Sequence, residues 1–508
     1  MPNLLAQIVL FSWPLVTWFL FRRLNLTQAL AATVLLGYLF IPQRVGFDPP
    51  LLPPIDKQTM PSLCAAVALW LTERNAAQRA RRDARLGKIP ATGEDKPDRR
   101  KPAGRARINR IVPMIIGMLM LSSVLTWATN QSALFYGPRY IGGLKPYDIG
   151  SMAIEIFMQV LPFLMARKYL GTREAQTDLL KVLVYCGFAY SFLILWEARM
   201  SPQLNVQLYG FFAHSWIQHV RGGAFRPIVF LAHGLLVGIF LAMTILAVAV
   251  LARNNVDGKR KQWLMLCGWL VLCLVLSRNM GATIIILGLV PLILLAPMRL
   301  QFLVAAIISG IVLIYPMARG SGLIPTERIV SVIQGINEDR AQSLEFRLNM
   351  EDILLEKANE RPLSGWGGWG RNRVYNPETG KDESITDGSW IMVIGVYGWV
   401  GYLGYFGLIC LPAILSFLRF RRYGLDTMDA GFLLILAGNL IDLIPNASMV
   451  PVLWLIAGCT WGRLETGAAM IAKKRSGRPD PIRRTERPAP RRAEPGRDHS
   501  LNVTSSKT

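Results

Sequence analysis

Long apolar stretches separated by short polar turns recur along the chain from residue 4 to residue 462. Most are about 17 to 25 residues long, enough for a helix to cross the roughly 30 Å of hydrocarbon in a bilayer. They are too continuously apolar for barrel strands, so the pattern predicts an all-α fold, a polytopic membrane helical bundle. We predict about 13 spans, with 12 to 14 possible, at residues 4–21, 27–41, 61–71, 111–129, 149–166, 179–196, 227–251, 263–276, 281–296, 300–318, 390–418, 431–444 and 449–461.

One polar stretch, residues 319–389, is far longer than most of the other connections between the predicted spans. Within it, apolar residues have the spacing of a helix that lies on a hydrophobic surface, at Phe346, Met350, Ile353 and Leu354. Arg347 and Glu351 border this stripe. The helix should end near Arg361, because the following Pro362 disfavours helical geometry in the residue before it.

A segment rich in glycine and tryptophan, residues 364–370, follows this helix and predicts a tight turn that exposes backbone amides. Such amides beside Arg371 and Arg373 can hold an anion, which makes both arginines candidate substrate-binding residues. The alternative for both is a solvated charge on the loop.

Basic residues are concentrated in two segments, which predicts the orientation of the chain. Residues 73–110 contain 13 Lys and Arg against 5 Asp and Glu, and residues 463–508 contain 12 against 5. By the positive-inside rule both segments should be cytoplasmic, which puts the N-terminus and the long loop outside. The predicted parts are N-terminal membrane helices (1–72), a basic cytoplasmic loop (73–110), membrane helices (111–318), an outer loop that carries site residues (319–389), C-terminal membrane helices (390–462) and a disordered basic cytoplasmic tail (463–508).

Composition excludes several classes of function. Hydrophobic residues make up 52% of the 508 residues, and the mean hydropathy of +0.33 is too high for an ordinary soluble enzyme. The net charge of +23 is concentrated beside the spans, where it suits anionic lipid headgroups, so we predict no nucleic-acid binding. No Walker loop is present, and the six cysteines and four histidines lack metal-ligand spacing, so we predict no cofactor and no metal.

Several motifs in and after the outer loop match the pattern of a known family. Arg347 is followed by Arg361-Pro362-Leu363-Ser364-Gly365-Trp366-Gly367, then by Asp387-Gly388-Ser389-Trp390 and Gly398-Trp399-Val400-Gly401. This order resembles the O-antigen ligase/polymerase family of bacterial surface-polysaccharide enzymes. Upstream, residues 221–227, which contain Arg226, and residues 277–282, which contain Arg278, are similar to the family's entry into a span and to its short hairpin.

Members of this family transfer a glycan from an undecaprenyl-diphosphate carrier to an acceptor hydroxyl, without a metal or a nucleotide sugar. The resemblance therefore implies a multi-pass enzyme of the bacterial inner (plasma) membrane whose long loop is periplasmic. Under this interpretation Arg226, Arg278 and Arg347 hold the diphosphate, because guanidinium groups stabilise the charge that develops on it. The alternative for Arg226 and Arg278 is an interfacial anchor that reaches water, and for Arg347 the solvated edge of its helix.

Asp387 stands where many ligases of this family have histidine. We predict that it orients the acceptor hydroxyl and takes its proton, with Arg278 as the second catalytic residue. Alternatively, Asp387 caps the helix that enters the next span. His233 is a candidate substrate-binding residue, with a buried core histidine as the alternative. His214 and His219, five residues apart, do not share a helix face and predict no metal pair.

The Asp-Gly-Ser-Trp element looks more like that of polymerases than that of ligases. We therefore predict a polymerase of lipid-linked oligosaccharide repeats in exopolysaccharide or O-antigen synthesis. A ligase that moves finished polymer to an acceptor is the first alternative, and a flippase or transporter is the second, although the sequence has no internal repeat. The expected partners are the undecaprenyl-diphosphate-linked oligosaccharide, membrane lipids and a polysaccharide chain-length regulator.

Overall fold

The computed structural model describes residues 2–49, 54–86, 103–221, 223–335 and 338–476, and helices dominate this part of the chain. The α-helices are α1 (Leu4–Phe11), α2 (Trp13–Arg23), α3 (Leu26–Phe40), α4 (Met60–Arg85), α5 (Ala103–Thr129), α6 (Pro146–Tyr169), α7 (Arg173–Met200), α8 (Leu204–Tyr209), α9 (Gly234–Arg253), α10 (Arg260–Leu276), α11 (Met280–Leu295), α12 (Met298–Gly320), α13 (Thr326–Gln334), α14 (Glu338–Asn359), α15 (Ser389–Tyr423), α16 (Thr427–Leu443) and α17 (Pro451–Ser476). Three short antiparallel hairpins pair β1 (Gly46–Phe47) with β2 (Ile55–Asp56), β3 (Leu134–Tyr136) with β4 (Arg139–Ile141), and β5 (Val220–Arg221) with β6 (Ala224–Phe225).

Each predicted span contains a helix, and the span at residues 4–21 contains α1 and α2, which are bent by 44° relative to each other. Among the described residues, six helices are long and apolar enough to cross a membrane, and the α1–α2 pair makes a seventh. The six are α5, α6, α7, α9, α12 and α15. The all-α polytopic membrane fold is thus confirmed, while the number of about 13 spans stays a prediction.

Polar contacts between helix ends fall into two groups. One group contains the ion pairs Arg167–Glu465, Lys168–Glu73, Arg173–Asp426 and Arg463–Asp429, at 2.7 to 3.1 Å. The other group contains the contacts of Glu197, at the far end of α7, and the contacts made by residues 319–389, such as the Arg347–Asp387 ion pair. Because α7 runs from Arg173 to Met200, these groups lie at opposite ends of the bundle. We call the end that carries residues 319–389 the outer end.

The centre of the bundle is formed by α9 and α16. α9 is apolar around its whole circumference and α16 is mostly apolar, and both are almost completely buried, as is usual for helices that pack on all sides. α9 contacts α7, α10, α11 and α16, while α15 packs against α5, α12 and α17. The outer ends of α9, α15 and α16 therefore converge on the region that contains the predicted site residues.

The helices differ from the predicted segments in three places. The span 227–251 becomes helical only at Gly234, because residues 227–233 are held in an irregular conformation by contacts described below. The basic loop 73–110 is partly helical, since α4 runs to Arg85 and α5 begins at Ala103. The tail 463–508 is helical up to Ser476. Arg, Ala, Gln and Glu favour helix and extend these spans beyond their apolar parts. Residues 87–102 and 477–508 lie outside the described residues.

The helix predicted in the outer loop is α14, and its end before Arg361 is confirmed. Its buried face differs from the predicted stripe, since it contains Glu351, Leu354, Leu355 and Ala358. Phe346 and Ile353 are 49% and 39% exposed. The face is rotated because α14 packs against α15 through polar contacts of Arg347 and Glu351 as well as through apolar residues.

Candidate functional site

A buried arginine lies at the outer end of α9. Arg226 is 4% exposed, and its Nε and Nη2 both donate to Oδ1 of Asn279, with 3.0 Å for Nε. Asn279 is held in turn because its Nδ2 donates to Oγ of Ser277 at 2.9 Å. Gly234 permits this packing, since a Cβ there would lie 2.8 Å from Nε of Arg226. The structure thus brings Arg226 against the turn that carries Arg278.

The segment 227–233, which follows this arginine, is held by two buried charged side chains. Glu197 of α7 accepts hydrogen bonds from the amides of Ile228 at 2.8 Å and Val229 at 2.7 Å. Lys57 donates from Nζ to a carbonyl of the same segment at 2.6 Å. Val229 has a φ of 51°, a left-handed value that is rare for a β-branched residue. Such strained backbone persists only where its surroundings hold it, and it is typical of functional sites.

Arg278 is exposed in the short turn between α10 and α11, and its φ of 55° is also left-handed. Asp442, near the end of α16, interacts electrostatically with Arg226. The Asp442 carboxylate also accepts hydrogen bonds from Nδ2 of Asn446 at 2.8 Å and from Oγ of Ser448 at 2.6 Å. A carboxylate that is itself hydrogen-bonded is the partner that a buried guanidinium requires.

Arg347 and Asp387 form an ion pair, with 3.3 Å between Nε and Oδ2. Their side chains are 36% and 41% exposed, so the pair is accessible from solvent. The alternative that Asp387 caps the next helix is wrong, because the N-cap of α15 is Gly388 and no side chain bonds there.

Hydrogen bonds connect the start of α15 to Asp442. Ser389 donates from N and from Oγ to the carbonyl of Asn446, at 3.2 Å and 2.8 Å, and Ser448 N donates to Ser389 Oγ at 3.2 Å. Asn446 and Ser448 also hold Asp442. A polar network at the outer end of the bundle therefore runs from Asp442, beside Arg226, to Ser389, which lies two residues after Asp387.

Sequence reasoning missed Glu351, which is buried beside the Arg347–Asp387 pair. It is 7% exposed, and its Oε1 accepts a hydrogen bond from Nε1 of Trp390 at 3.3 Å. Burial, reinforced by the neighbouring carboxylates of Asp352 and Asp387, raises the pKa of Glu351 to about 7. A carboxyl group with a pKa near neutrality can exchange a proton at physiological pH. Its one signal in the sequence is its position four residues after Arg347 on a helix.

We expect the variant Glu351→Gln to gain thermal stability relative to the wild type as the pH rises from about 5 to about 7. The folded protein retains the Glu351 proton up to about pH 7, whereas the unfolded chain releases it near the ordinary glutamate pKa of 4.5. Ionisation in this window therefore favours unfolding of the wild type alone, by up to about 3 kcal/mol above the window.

Melting temperatures of the purified protein in detergent, measured from about pH 4 to about pH 8, check this expectation. The variant Glu356→Gln is the control, because Glu356 lies on the same helix but is exposed. A stability difference between Glu351→Gln and the wild type that does not change with pH would contradict a raised pKa at Glu351.

The turn after α14 docks on a break in α15. Gly398 has a φ of 65°, which interrupts the helix and leaves the carbonyls of Gly395 and Val396 free to accept bonds from outside it. They accept hydrogen bonds from the amides of Trp366 at 2.8 Å and Gly367 at 2.9 Å. The prediction that amides of this turn are available to an anion is therefore wrong for these two residues.

Arg371 holds this turn to the chain around the β3–β4 hairpin. It is 1% exposed, and its guanidinium donates to the carbonyls of Gly142 at 2.7 Å and Ser132 at 3.1 Å. Arg371 is therefore a positioning residue, neither a solvated charge nor directed at a substrate. Arg373 is more exposed and pairs with Asp382 at 2.5 Å, and substrate binding by Arg373 stays a prediction.

A cavity of about 1050 Å³ opens beside the polar network. Its walls carry the acidic side chains Asp48, Asp56, Asp148 and Glu155 and the aromatic side chains Tyr147, Trp369, Tyr397 and Trp454. Ser389, Ala447 and Met449 also line it, so the segment that holds Asp442 borders the cavity. No Lys or Arg is among the described residues of its wall. Aromatic faces with carboxylates suit a hydroxyl-rich ring, whereas a diphosphate would be repelled.

His233 is the N-cap of α9, and its Nδ1 accepts a hydrogen bond from the amide of Leu235 at 3.0 Å. The rings of His214 and His219 lie beside it, with one nitrogen of each of the three within 4.8 Å of the others. Helix periodicity separates His214 from His219 in the sequence, but they lie in a loop and a 3₁₀ turn, where that periodicity does not apply. The two rings therefore come close together in the fold, while the expectation of no metal pair stays a prediction.

The fold and this network define a multi-pass membrane protein with an arginine-containing polar site at one end of its bundle. Residues 263–406 match the family model described as O-antigen ligase, so this part of the chain is similar to that family. The resemblance is thereby confirmed, and the function is of the ligase/polymerase type. The matched residues include Arg278, Arg347 and Asp387, whereas Arg226 precedes them. Comparison with curated proteins finds no match.

Proposed function

We propose that the protein is a polymerase that joins undecaprenyl-diphosphate-linked oligosaccharide repeats, in exopolysaccharide or O-antigen synthesis, at the periplasmic face of the bacterial inner membrane. The observation that carries this proposal is the fixed contact between Arg226 and Asn279, the residue after Arg278. It joins two segments that are about 50 residues apart in the sequence and places two guanidinium-bearing residues at one end of the bundle.

In the proposed reaction, Arg226 and Arg278 bind the diphosphate of the carrier. The oxygen of the acceptor hydroxyl bonds to the anomeric carbon of the donor sugar, and the bond from that carbon to the diphosphate oxygen breaks. The bonding electrons leave with the diphosphate. Guanidinium groups whose orientation is already fixed stabilise this developing charge, and they can do so without a metal.

The acceptor hydroxyl is oriented by Asp387, which also takes its proton. Arg347 occupies this carboxylate in an ion pair, so Arg347 turns towards the diphosphate when the donor binds and frees the carboxylate for the hydroxyl. Glu351 lies beside this pair, and its raised pKa of about 7 suits it to take the proton onward. The transferred proton thus passes from the hydroxyl to carboxylates near the start of α15.

The glycan occupies the cavity, whose aromatic and acidic wall fits sugar rings. The outer helix α14 lies on the bilayer beside the site, since Phe346 and Ile353 remain exposed and apolar on its surface. A polysaccharide chain-length regulator is a proposed partner of the protein.

A ligase that transfers finished polymer to a lipid or protein acceptor is the second candidate. It is favoured by the description of the matched family, O-antigen ligase. The two activities use the same donor chemistry and differ in the acceptor, so product analysis separates them.

We expect the variant Arg278→Ala to abolish polymer while leaving the protein in the membrane, because Arg278 is exposed and its loss removes charge stabilisation from the leaving group. The experiment compares cell-surface and secreted polysaccharide on gels, from a deletion strain complemented with wild type or with the variant. The variant Arg260→Ala, at the opposite end of α10, is the control and should give normal polymer.

Loss of polymer with single lipid-linked repeats accumulating on the periplasmic side supports a polymerase. Full-length polymer that remains on its carrier means a ligase instead, and repeats trapped on the cytoplasmic side mean a flippase. Polymer of normal length and amount from Arg278→Ala overturns the assignment of the diphosphate site.

A further inference from the structure

Three of the four histidines in the chain converge at the outer end of α9. His214, His219 and His233 each offer one ring nitrogen, and these nitrogens lie within 4.8 Å of one another. The ring centroids are 4.7 Å apart for His214 and His233, 5.3 Å for His219 and His233, and 5.9 Å for His214 and His219. We call these three residues the histidine triad.

The exposure of the three rings suits a bound ion. His219 is fully buried, His233 is half-buried and His214 is exposed, so the triad has a fixed inner wall and an open side. Zinc binds imidazole nitrogen at about 2.0–2.1 Å, which puts two nitrogens of a tetrahedral site about 3.4 Å apart. The triad reaches this spacing if its nitrogens move inward by about 1 Å, and the exposed His214 ring has room for that movement.

The ligand set selects the class of metal. The group contains three imidazoles and no carboxylate, and imidazole nitrogen suits zinc, copper, nickel and cobalt, whereas magnesium and calcium require oxygen ligands. Three histidines leave a fourth position for water in a tetrahedral zinc site.

We propose that His214, His219 and His233 bind one divalent transition metal of the zinc class, which ties the segment 214–219 to the start of α9 around Arg226. Two contacts connect the triad to that arginine. The backbone carbonyl of His219 accepts a hydrogen bond from the amide of Arg226 at 2.8 Å. Gly234, the residue after His233, packs directly against the Arg226 side chain. The metal therefore positions Arg226 and takes no part in the bonds made and broken during glycan transfer.

Metal binding changes the hydrogen bonds of His233. Its Nδ1 accepts from the amide of Leu235, and its Nε2 lies 3.2 Å from Oε1 of Gln218, so Nε2 carries the ring proton in this structure. If the metal binds Nε2, the ring proton moves to Nδ1, which can then no longer accept from Leu235. If the metal binds Nδ1, it uses the lone pair that accepts this hydrogen bond. The bond to Leu235 is therefore lost in both cases. One cap is a small loss against three metal–nitrogen bonds. Acid weakens the site, because protonated imidazole cannot bind a metal.

The test uses the full-length protein in detergent, stripped with a chelator and titrated with Zn²⁺ while bound metal and melting temperature are measured. Co²⁺ serves as a second probe, because its visible absorption reports nitrogen coordination. The variants are His214→Ala, which removes an exposed ring, and His219→Ala. The matched control is His499→Ala, which removes the fourth histidine, outside the described residues.

We expect the wild type and His499→Ala to bind about one Zn²⁺ per chain and to gain melting temperature on binding. His214→Ala and His219→Ala should bind Zn²⁺ at least about tenfold more weakly than the wild type. Loss of a residue that only hydrogen-bonds to a metal ligand already lowers metal affinity by about that factor. Zinc binding that is equal in the wild type and in His214→Ala overturns the proposal. Equal loss in His499→Ala, or displacement of Zn²⁺ by equimolar Mg²⁺, overturns it as well.

Discussion

Replacing Arg226 with lysine should lower glycan polymer formation by about 100-fold, although the positive charge is kept. Lysine carries a point charge on a flexible stem, so it cannot reproduce the planar contact in which Nε and Nη2 of Arg226 share Oδ1 of Asn279. The charge would remain near the site, but its donors would no longer be fixed where the leaving diphosphate develops its charge. The measurement is the yield of polymer per amount of protein in the membrane.

Two further variants test this expectation, one as a control and one with an intermediate effect. Arg328→Lys makes the same exchange at an exposed position of α13 and should leave polymer yield unchanged. Asn279→Ala keeps the Arg226 guanidinium but removes its acceptor, so it should give an intermediate loss. Normal polymer from Arg226→Lys, at a normal protein level, would show that this arginine acts only as a buried structural charge.

The variant Gly365→Ala is expected to reduce the amount of folded protein and to remove activity with it. Gly365 has a φ of 65°, which costs a residue with a side chain roughly 1–2 kcal/mol. A Cβ there would also lie 2.5 Å from the backbone nitrogen of Gly398 and from the carbonyl oxygen of Val396. These are backbone atoms of α15 that cannot withdraw, so we expect a total destabilisation above about 3 kcal/mol.

The same turn contains a matched control. A Cβ at Gly368 would meet no atom within 4 Å, so Gly368→Ala should leave stability unchanged. Size-exclusion profiles and melting temperatures of the purified variants measure the effect directly. Equal stability of Gly365→Ala and Gly368→Ala would show that the turn does not need close contact with α15.

This contact explains why the chain has a glycine-rich turn and a glycine-containing helix in succession. Gly398 breaks the helical hydrogen bonds of α15, and the turn supplies replacement partners on both sides of the break. Trp366 and Gly367 donate to carbonyls before it, and Trp399 N donates to the carbonyl of Pro362 at 2.7 Å. Motifs that are separate in the sequence therefore form one unit, which holds the start of α15 where Asp387 and Ser389 lie.

Much of the fold follows from local patterns. Apolar stretches of sufficient length predict a helix in each span of the bundle, and Pro362 predicts the end of α14. The apolar character of residues 227–233 predicts that they belong to a span, yet Glu197 holds their amides and keeps them irregular. A carboxylate that arrives from another helix cannot be recognised from the apolar segment that it binds.

For the site as well, local motifs predict some features, and contacts between distant parts of the chain decide others. The motifs identify Arg226, Arg278, Arg347 and Asp387, and their roles in binding and catalysis stay a prediction. The sequence does not distinguish Arg371 from a loop charge, but carbonyls from the chain around the β3–β4 hairpin surround it. Glu351 cannot be singled out on a charged helix, because its position there does not reveal that Trp390 and its neighbours bury it.

The sequence by itself determined the class of this protein: a helical, multi-pass membrane protein with the motifs of the O-antigen ligase family. Hydrophobic length and short motifs are local properties, and lipid leaves a backbone few ways to satisfy its hydrogen bonds. Only the tertiary structure decided which arginine is fixed by Asn279, which carboxyl group is buried enough to hold its proton, and which histidines meet. Those outcomes depend on desolvation and on partners from helices distant in the sequence, and neither is a property of the local pattern.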